Sequence, residues 1–121
     1  MLRVIKGSTP PGGVALLFKK GLRFKRNSSI KGKFNSLEFT DLTMLRFSTA
    51  LRTVIVYRPL PSRNNKCTVT MFFNELPLLT ENLATTAGPI LFAGDFNFHV
   101  DNNQDCTATR FHCLLTKVIR L

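Results

Sequence analysis

The chain has 121 residues, of which 44% are hydrophobic, and its 17 Lys or Arg outnumber its 7 Asp or Glu, for a net charge of +10. That length suits one small domain, and the hydrophobic fraction excludes a globally disordered chain. No apolar run approaches the roughly 20 residues that a membrane-spanning helix needs. The three cysteines are odd in number and widely spaced, so we predict no disulfide framework and a reducing compartment, nuclear or cytoplasmic.

The basic residues are concentrated in the first half of the chain. Residues 1–66 hold 14 Lys or Arg and 2 acids, whereas residues 67–121 hold 3 Lys or Arg and 5 acids. The first part therefore has a net charge of +12 and the second part −2. Such a charge is compatible with a polyanionic partner such as nucleic acid, and equally with a solvated surface that lysines keep soluble.

The beginning of the chain predicts an irregular segment followed by short strands. Residues 1–11 are expected to be irregular, because prolines and glycines at 10–13 block regular structure. Val14–Phe18 is a continuous apolar run, which favours a strand buried on both faces. Lys19-Lys20-Gly21 then predicts a turn, residues 22–25 a second short strand, and residues 26–33 a basic loop.

Two longer strands are predicted next. Residues 36–47 alternate apolar and polar positions, but the phase of the alternation changes near Asp41, which predicts a bulge there. Leu51–Tyr57 is rich in strand-favouring residue types, and Pro59 ends it.

The second half of the chain adds helices. Apolar residues recur at helical spacing at Phe72, Leu76, Leu79 and Leu83. If Asn74 is the N-cap, Pro77 lies in the first turn, where its missing N–H costs nothing; an earlier start kinks the helix there. Ile90–Ala93 predicts a buried strand, and Thr107 or Thr109 is expected to cap a last helix. Strands that alternate with helices indicate an α/β fold.

The sequence Gly94-Asp95-Phe96-Asn97 follows the apolar strand directly. Asp95 and Asn97 are two residues apart, so their side chains can point the same way from the strand's end. Phosphodiester cleavage uses such groups: a carboxylate orients or deprotonates the attacking water or holds Mg²⁺, and an amide holds a phosphate oxygen. Gly94 permits a close approach of the backbone or an unusual backbone angle at that point. The structural alternative is an Asx turn, in which Asn97 bonds its own backbone.

Three stretches in order resemble the endonuclease/exonuclease/phosphatase family, in particular the apurinic-like endonuclease domain of LINE-type (non-LTR) retrotransposons. The stretches are GGVALLFKK at 12–20, LRTVIVYRPLPS at 51–62 and PILFAGDFNFHVD at 89–101. The resemblance covers residues 12–115 and leaves 116–121 as a divergent tail. It implies a fragment of a four-layer α/β sandwich, in which two packed sheets are flanked by helices.

The resemblance also implies roles for individual residues. Asp95 matches the aspartate that acts on the attacking water or in the metal site. Asn97 matches the asparagine that contacts the scissile phosphate, and Tyr57 the tyrosine that hydrogen-bonds it. The residues expected to hold the nucleic-acid backbone are Arg58, Lys19 and Lys20. The implied cofactor is Mg²⁺, and the implied partners are DNA and a reverse transcriptase domain of the same polyprotein. We predict no membrane partner.

Part of the family's catalytic set has no counterpart in the sequence. The family also uses an upstream Asn, a metal-binding Glu from an early strand, and a C-terminal Ser-Asp-His. His112 does not match the last motif, and Glu38 lies on a different strand from the metal-binding Glu. The sequence therefore predicts the middle of such a domain, with no tight Mg²⁺ binding and little or no nuclease activity of its own. A non-catalytic basic nucleic-acid-binding module and a poorly folded relic remain as alternatives.

Other polar residues are predicted to be structural. Cys106, His112 and Cys113 lack a paired Cys-x-x-Cys spacing and a fourth ligand, so ordinary thiols are favoured over a metal site. His99 and Asp101 lie in an extension of the motif and are assigned no chemistry. The phenylalanines, 11 in number, are expected in the core rather than on a base-stacking surface.

Overall fold

A computed structural model describes residues 2–6, 14–46, 48–63, 67–99, 101–102 and 104–118. Within these residues the chain forms six strands and two helices. The strands are β1 (Leu2–Lys6), β2 (Ala15–Lys19), β3 (Arg23–Arg26), β4 (Glu38–Arg46), β5 (Thr49–Tyr57) and β6 (Ile90–Asp95), and the helices are α1 (Val69–Ala84) and α2 (Cys106–Val118). The predicted α/β class is confirmed. Neither of these helices is long and apolar enough to cross a bilayer.

The chain divides into two compact units, which we call the strand unit and the helix unit. The strand unit comprises the described residues of Met1–Lys31, Glu38–Tyr57 and Ala87–Asp95 and contains the six strands. The helix unit comprises those of Gly32–Leu37, Arg58–Thr86 and Phe96–Leu121 and contains the two helices. Each unit is assembled from three separate stretches, so the division is not visible as a linker in the sequence.

The strand unit contains two sheets. A four-stranded sheet has the order β3-β4-β5-β6, and β1 pairs with β2 in a separate two-stranded sheet. β3, β4 and β5 are antiparallel neighbours, whereas β6 runs parallel to β5. A parallel neighbour needs a long crossover connection, and the chain between β5 and β6 includes α1. The ends of β5 and β6 therefore lie at the same edge of the sheet.

The two sheets of the strand unit contact each other. The hydroxyl of Thr40 on β4 donates to the carbonyl oxygen of Val14, just before β2, over 3.4 Å. The rings of Phe18 on β2 and Phe24 on β3 lie 4.7 Å apart between centroids. Leu42 on β4 is completely buried. Aliphatic and aromatic side chains at these positions give the strand unit its own apolar interior.

The predicted bulge near Asp41 is wrong. All nine residues of β4 pair with all nine of β5 in one uninterrupted register. Asp41 is buried and accepts hydrogen bonds from Arg52, at 2.9 Å on Oδ1 and 2.5 Å on Oδ2. A buried ion pair thus occupies a position at which an apolar residue was expected. The sequence pattern is shifted for this reason, although the backbone is regular.

The burial of two strands also differs from the prediction. β2 and β6 were expected to be buried on both faces, but Leu17 on β2 is 59% exposed and Leu91 on β6 is 50% exposed. β6 is an edge strand of its sheet, which explains its exposure. The expectation of an irregular start is wrong for Leu2–Lys6, which pairs with β2. Such a long-range partner is invisible to local sequence rules, and residues 7–13 lie outside the described part.

Helix α1 begins earlier than a cap at Asn74 would allow. The hydroxyl of Thr68 accepts a hydrogen bond from the Met71 amide at 3.1 Å, which makes Thr68 the N-cap. Pro77 therefore lies inside the helix, where it cannot donate to the carbonyl four residues earlier. The helix continues to Ala84 because its apolar face is buried, namely Phe72, Phe73, Leu76, Leu79 and Leu83.

Helix α2 begins at Cys106, so a cap at Thr107 or Thr109 is wrong. The Oδ1 atom of Asp105 accepts a hydrogen bond from the Thr107 amide at 2.8 Å, as an N-cap residue does. A carboxylate at this position also interacts favourably with the positive end of the helix dipole.

The helix unit is centred on phenylalanine rings, as the sequence predicted. Phe72, Phe73, Phe96 and Phe111 are at most 8% exposed. Phe98 joins them, with its ring 5.4 Å from that of Phe111 and 6.1 Å from that of Phe72, between centroids. Tilted and edge-on contacts of this kind add to the free energy of burial.

Candidate functional site

Strands β5 and β6 end together, so their last residues are neighbours. Tyr57 is the register partner of Asp95. Register partners on adjacent strands project from the same face of a sheet. Both side chains are exposed. Two of the three predicted catalytic residues thus meet at the carboxyl ends of parallel strands, where α/β sheets commonly bind ligands.

Gly94 is needed for β6 to approach β5 at this point. A Cβ atom on Gly94 would lie 2.0 Å from the carbonyl oxygen of Val56, its register partner. Any other residue would push the two backbones apart one position before Tyr57 and Asp95. Of the two features that the sequence allowed for Gly94, the structure shows the close approach.

Asn97, the third predicted catalytic residue, belongs to the helix unit. Its backbone is left-handed, with φ of 54°, a conformation that Asn tolerates better than most residues. Its side-chain nitrogen donates a hydrogen bond to the carbonyl oxygen of Arg58, 39 residues away in the chain. Asn97 therefore connects two distant stretches of the helix unit. In the Asx turn considered from the sequence, its side chain would bond only its own local backbone.

The Arg58 side chain also connects distant stretches of the helix unit. Its Nη1 donates to the carbonyl oxygen of Phe96 at 3.2 Å and its Nη2 to that of Cys67 at 3.5 Å. The guanidinium carbon lies 5.6 Å from the centre of the Phe72 ring. Arg58 thus binds the backbone carbonyl of Phe96, next to Asn97, and Asn97 binds the backbone carbonyl of Arg58. We call this arrangement the Arg58–Asn97 clamp.

The predicted role of Arg58 in holding a phosphate does not fit this position. The residue is only 2% exposed, and burial lowers the pKa of its guanidinium. Its Nε is buried with no hydrogen-bond partner among the described residues. A side chain enclosed by carbonyl oxygens and a phenyl ring has no face left for a nucleic-acid backbone. A single arginine after a strand gives no sequence signal of its burial, so the sequence-based prediction groups Arg58 with the surface cations.

Lys19 and Lys20 occupy the kind of position that their predicted role requires. Both are exposed, at the end of β2 and in the turn that follows, where the Leu22 amide donates to the Lys19 carbonyl at 3.3 Å. The turn continues into the edge strand β3, which adds further exposed cations. We call residues 19–26 the basic segment; its exposed cations are Lys19, Lys20, Arg23, Lys25 and Arg26.

Sequence reasoning missed Glu38 as a member of this site. Glu38 is the register partner of Tyr57 in the β4–β5 pair, just as Asp95 is in the β5–β6 pair. The three side chains therefore form one row across three strands, on the same face of the sheet. The sequence did not supply this pairing, because the bulge predicted near Asp41 would shift the register, whereas the structure pairs nine residues of β4 with nine of β5 and so places 38 beside 57. Such a pairing is easily missed since a hairpin register, and not a motif, brings these two positions together.

One carboxylate oxygen of Glu38 differs from those of the buried acids in its hydrogen bonding. Its Oε2 is buried and has no hydrogen-bond partner among the described residues. Glu75 in the helix unit provides a contrast, because its carboxylate accepts from the amides of Asn35 and Ser36 at 2.7 and 2.9 Å. Of these two acids, Glu75 serves the fold, whereas Glu38 keeps unused acceptor capacity.

A shallow cleft of about 550 Å³ lies in the helix unit, lined by Asn97, Phe98, His99 and Asp105. His99 is exposed there, and Asp105 already caps α2. Within the described ranges, no three His, Cys, Asp or Glu side chains are grouped so that they could hold a metal ion. The cleft is a surface recess of the helix unit.

Comparison of the chain with protein-family models, with curated proteins and with solved structures found no match. The row of Glu38, Tyr57 and Asp95 and the three family-like stretches are therefore the basis for a functional proposal.

Proposed function

We propose that the chain is part of a Mg²⁺-dependent phosphodiesterase domain of the endonuclease/exonuclease/phosphatase type, one that nicks DNA in a retrotransposon. The observation that carries this proposal is the register of β5 and β6, which pairs Tyr57 with Asp95. These are the residues that the resemblance assigns to the phosphate and to the attacking water. A pairing between residues 38 positions apart is not implied by the short motifs themselves.

The proposed parent fold is the four-layer sandwich, of which this chain supplies a part. The contacts of Thr40 with Val14 and of Phe18 with Phe24 support it, because they pack one sheet of the strand unit on the other. Sheets packed face to face are the inner layers of such a sandwich. The exposed apolar residues Leu17 and Leu91 also fit a sheet whose full cover includes further elements.

The proposed roles use the polar atoms of the row. The Tyr57 hydroxyl donates a hydrogen bond to a phosphate oxygen, and the Asp95 carboxylate orients the attacking water and accepts its proton. Asn97 is expected to contact the phosphate on the strength of the resemblance alone. Mg²⁺, when bound beside Asp95, would supply positive charge to the phosphate oxygens. The proposed natural partners are DNA and a reverse transcriptase domain of the same polyprotein.

We expect the 121-residue chain itself to show little or no nicking. The sequence contains no Ser-Asp-His and no early-strand Glu of the family's type, so the phosphate and the metal ion lack part of their usual ligands. Purified protein, supercoiled plasmid and Mg²⁺, with and without chelator, test this expectation. Robust nicking that disappears in Asp95→Ala would overturn the inactivity and strengthen the family proposal.

The reading frame around the chain tests the family proposal itself. We expect an Asn and Glu strand pair upstream, a Ser-Asp-His downstream, and a reverse transcriptase beyond it. A frame that continues on both sides without these motifs contradicts the proposal, whatever the plasmid assay shows.

The basic segment favours a second candidate function, that of a non-catalytic nucleic-acid-binding module. Its five cations are exposed on one continuous stretch of chain, a position from which Lys and Arg side chains can contact phosphates. Salt-dependent DNA binding that is unaffected by Asp95→Ala, with no cleavage, supports this candidate. Binding that requires Asp95 and Mg²⁺ supports the phosphodiesterase instead.

A further inference from the structure

We propose that Ser29 is a phosphorylation site for a serine kinase with an acidic peptide-binding groove, and that the Arg52 guanidinium binds the attached phosphate. Both residues belong to the strand unit. The inference goes beyond the proposed function and does not depend on it, because neither residue belongs to the row of Glu38, Tyr57 and Asp95.

Ser29 lies on a stretch of chain that another protein can reach. Residues 27–37, which connect β3 to β4, contain neither helix nor strand. Ser28, Ser29, Lys31 and Lys33 are exposed in this connection. A kinase binds the residues around its target hydroxyl as an extended peptide, so an irregular surface connection is a better target than a paired strand or a helix.

The residues around Ser29 select the class of kinase. Arg26 lies three residues before Ser29 and Lys25 four residues before it, and the apolar Ile30 follows. Between positions 19 and 33 the chain carries seven Lys or Arg and no Asp or Glu. A groove lined by carboxylates is complementary to this stretch, whereas a groove lined by Lys or Arg would repel it.

The target hydroxyl already contacts a guanidinium. Nη2 of Arg52 donates a hydrogen bond to Oγ of Ser29 at 3.1 Å. Because the hydroxyl oxygen accepts this bond, its own hydrogen stays available for transfer. In the reaction, Oγ attacks the terminal phosphorus of a nucleoside triphosphate and the bond to the leaving diphosphate breaks. The hydroxyl proton goes to a base of the kinase.

The attached phosphate takes over the hydrogen bond that the hydroxyl accepts from Arg52. It brings a charge of about −1.5 to −2 and three acceptor oxygens to the guanidinium, and such charge-assisted bonds are strong. Asp41 keeps its own place, because its carboxylate is buried and also accepts from Asn27 at 3.0 Å. Ser29 is exposed, so water and salt screen the repulsion between the phosphate and Asp41. Phosphorylation is therefore expected to attach residues 27–37 to β5.

Phosphate transfer to the full chain tests the modification site. With ATP and a kinase that prefers Arg three residues before the serine, mass spectrometry should locate the phosphate on Ser29. Ser29→Ala should abolish this incorporation, and Ser28→Ala, the matched control at the neighbouring serine, should retain it. Arg26→Gln should slow the transfer by about tenfold, the loss expected for one charge-assisted contact. A kinase that prefers acidic residues around the serine should leave the chain unmodified.

Titration of the phosphate by ³¹P NMR tests its binding to Arg52. The midpoint in the folded phosphoprotein should lie about 0.5–1 pH unit below that of the same protein unfolded in urea, because a nearby guanidinium favours the dianion and lowers its pKa. The wild-type chain serves for this comparison, since Arg52→Gln would also break the ion pair with Asp41. Absence of phosphate on Ser29, or phosphate on Ser28 in its place, overturns the modification site. Equal midpoints in the folded and unfolded protein overturn the role of Arg52.

Discussion

Asp41 and Glu38 lie three residues apart on β4, yet their surroundings differ. Both oxygens of Asp41 accept hydrogen bonds from Arg52, and Oδ1 accepts another from the side chain of Asn27 at 3.0 Å. Glu38, at the end of the strand, keeps a buried oxygen with no donor among the described residues. The odd and even positions of a strand face opposite sides of the sheet, so the two acids do not share partners.

The comparison separates charge that holds the fold from charge that is available to a ligand. A buried carboxylate is tolerated when its lone pairs are filled by a matched partner, as the Arg52 guanidinium fills those of Asp41. Glu38 has no such guanidinium partner, and it lies in a row with Tyr57 and Asp95, which end the parallel strands β5 and β6. We therefore expect Asp41 to control stability and the row of Glu38, Tyr57 and Asp95 to control binding.

Removal of the ion pair is expected to have the largest effect on stability. Asp41→Asn leaves the Arg52 guanidinium, whose side chain is 13% exposed, without its counter-charge, and should lower the free energy of unfolding by about 3–5 kcal/mol. Urea denaturation followed by circular dichroism measures this. Glu38→Gln is the matched control, with an expected change within about 1 kcal/mol. Equal losses in the two variants would contradict the distinction between the two acids.

The Arg58–Asn97 clamp provides a second example of a buried charge that holds the fold, in the helix unit. Here the buried group is a cation, Arg58, and not an acid. Arg58→Met leaves the carbonyl oxygens of Phe96 and Cys67 without their donors, and should cost about 2–4 kcal/mol of unfolding free energy. Arg63→Met removes the same charge from an exposed position and should cost less than about 0.5 kcal/mol. If Arg58 holds a phosphate at the surface instead, its replacement weakens DNA binding and leaves stability unchanged.

Gly94→Ala is expected to have a smaller effect, and it links stability to the row of polar residues. The new Cβ meets the Val56 carbonyl oxygen, so β5 and β6 must separate, at a cost of about 1–3 kcal/mol. Urea denaturation followed by circular dichroism measures this loss. Ala93→Ser, one position earlier and exposed, is the control. Unchanged stability in Gly94→Ala would show that the strands are not so close.

The sequence predicted elements well where the signal is local, and poorly where it depends on pairing. Phe72, Leu76, Leu79 and Leu83 placed α1 correctly, because one buried stripe at helical spacing suffices to identify a helix. Its start was missed since a threonine cap at Thr68 looks like any other threonine before an apolar run. For the same reason the sequence did not reveal Asp105 as the cap of α2.

The candidate site was predictable in part. The motif around Asp95 and the strand that ends at Tyr57 were recognisable one at a time, but their pairing depends on a parallel register that no local rule supplies. Glu38 joins the row through a hairpin register, and Arg58 is buried through its bonds with residues far along the chain. The residue types therefore indicated phosphodiester chemistry, whereas the strand pairing and long-range contacts determine which of these residues are neighbours.

The smallest expected effect on stability, and the largest on nucleic-acid binding, belongs to the basic segment. Lys19→Gln with Lys20→Gln should leave the free energy of unfolding within about 0.5 kcal/mol, because both side chains are exposed. If these lysines bind DNA phosphates, the slope of log affinity against log salt should become shallower by about 0.9 for each phosphate that is no longer neutralised. Fluorescence anisotropy with a labelled duplex over a series of salt concentrations measures the slope.

The matched control for this last prediction is Asp95→Asn, which changes the charge of the row by one unit and leaves the basic segment intact. In the absence of divalent cations it should leave the salt slope unchanged, since the slope reports the number of phosphates neutralised by cations and not the charge elsewhere. A salt slope that stays at the wild-type value in the double lysine variant would show that the exposed cations only solvate the surface. Ligand binding by this protein would then depend on the row of Glu38, Tyr57 and Asp95, and not on the basic segment.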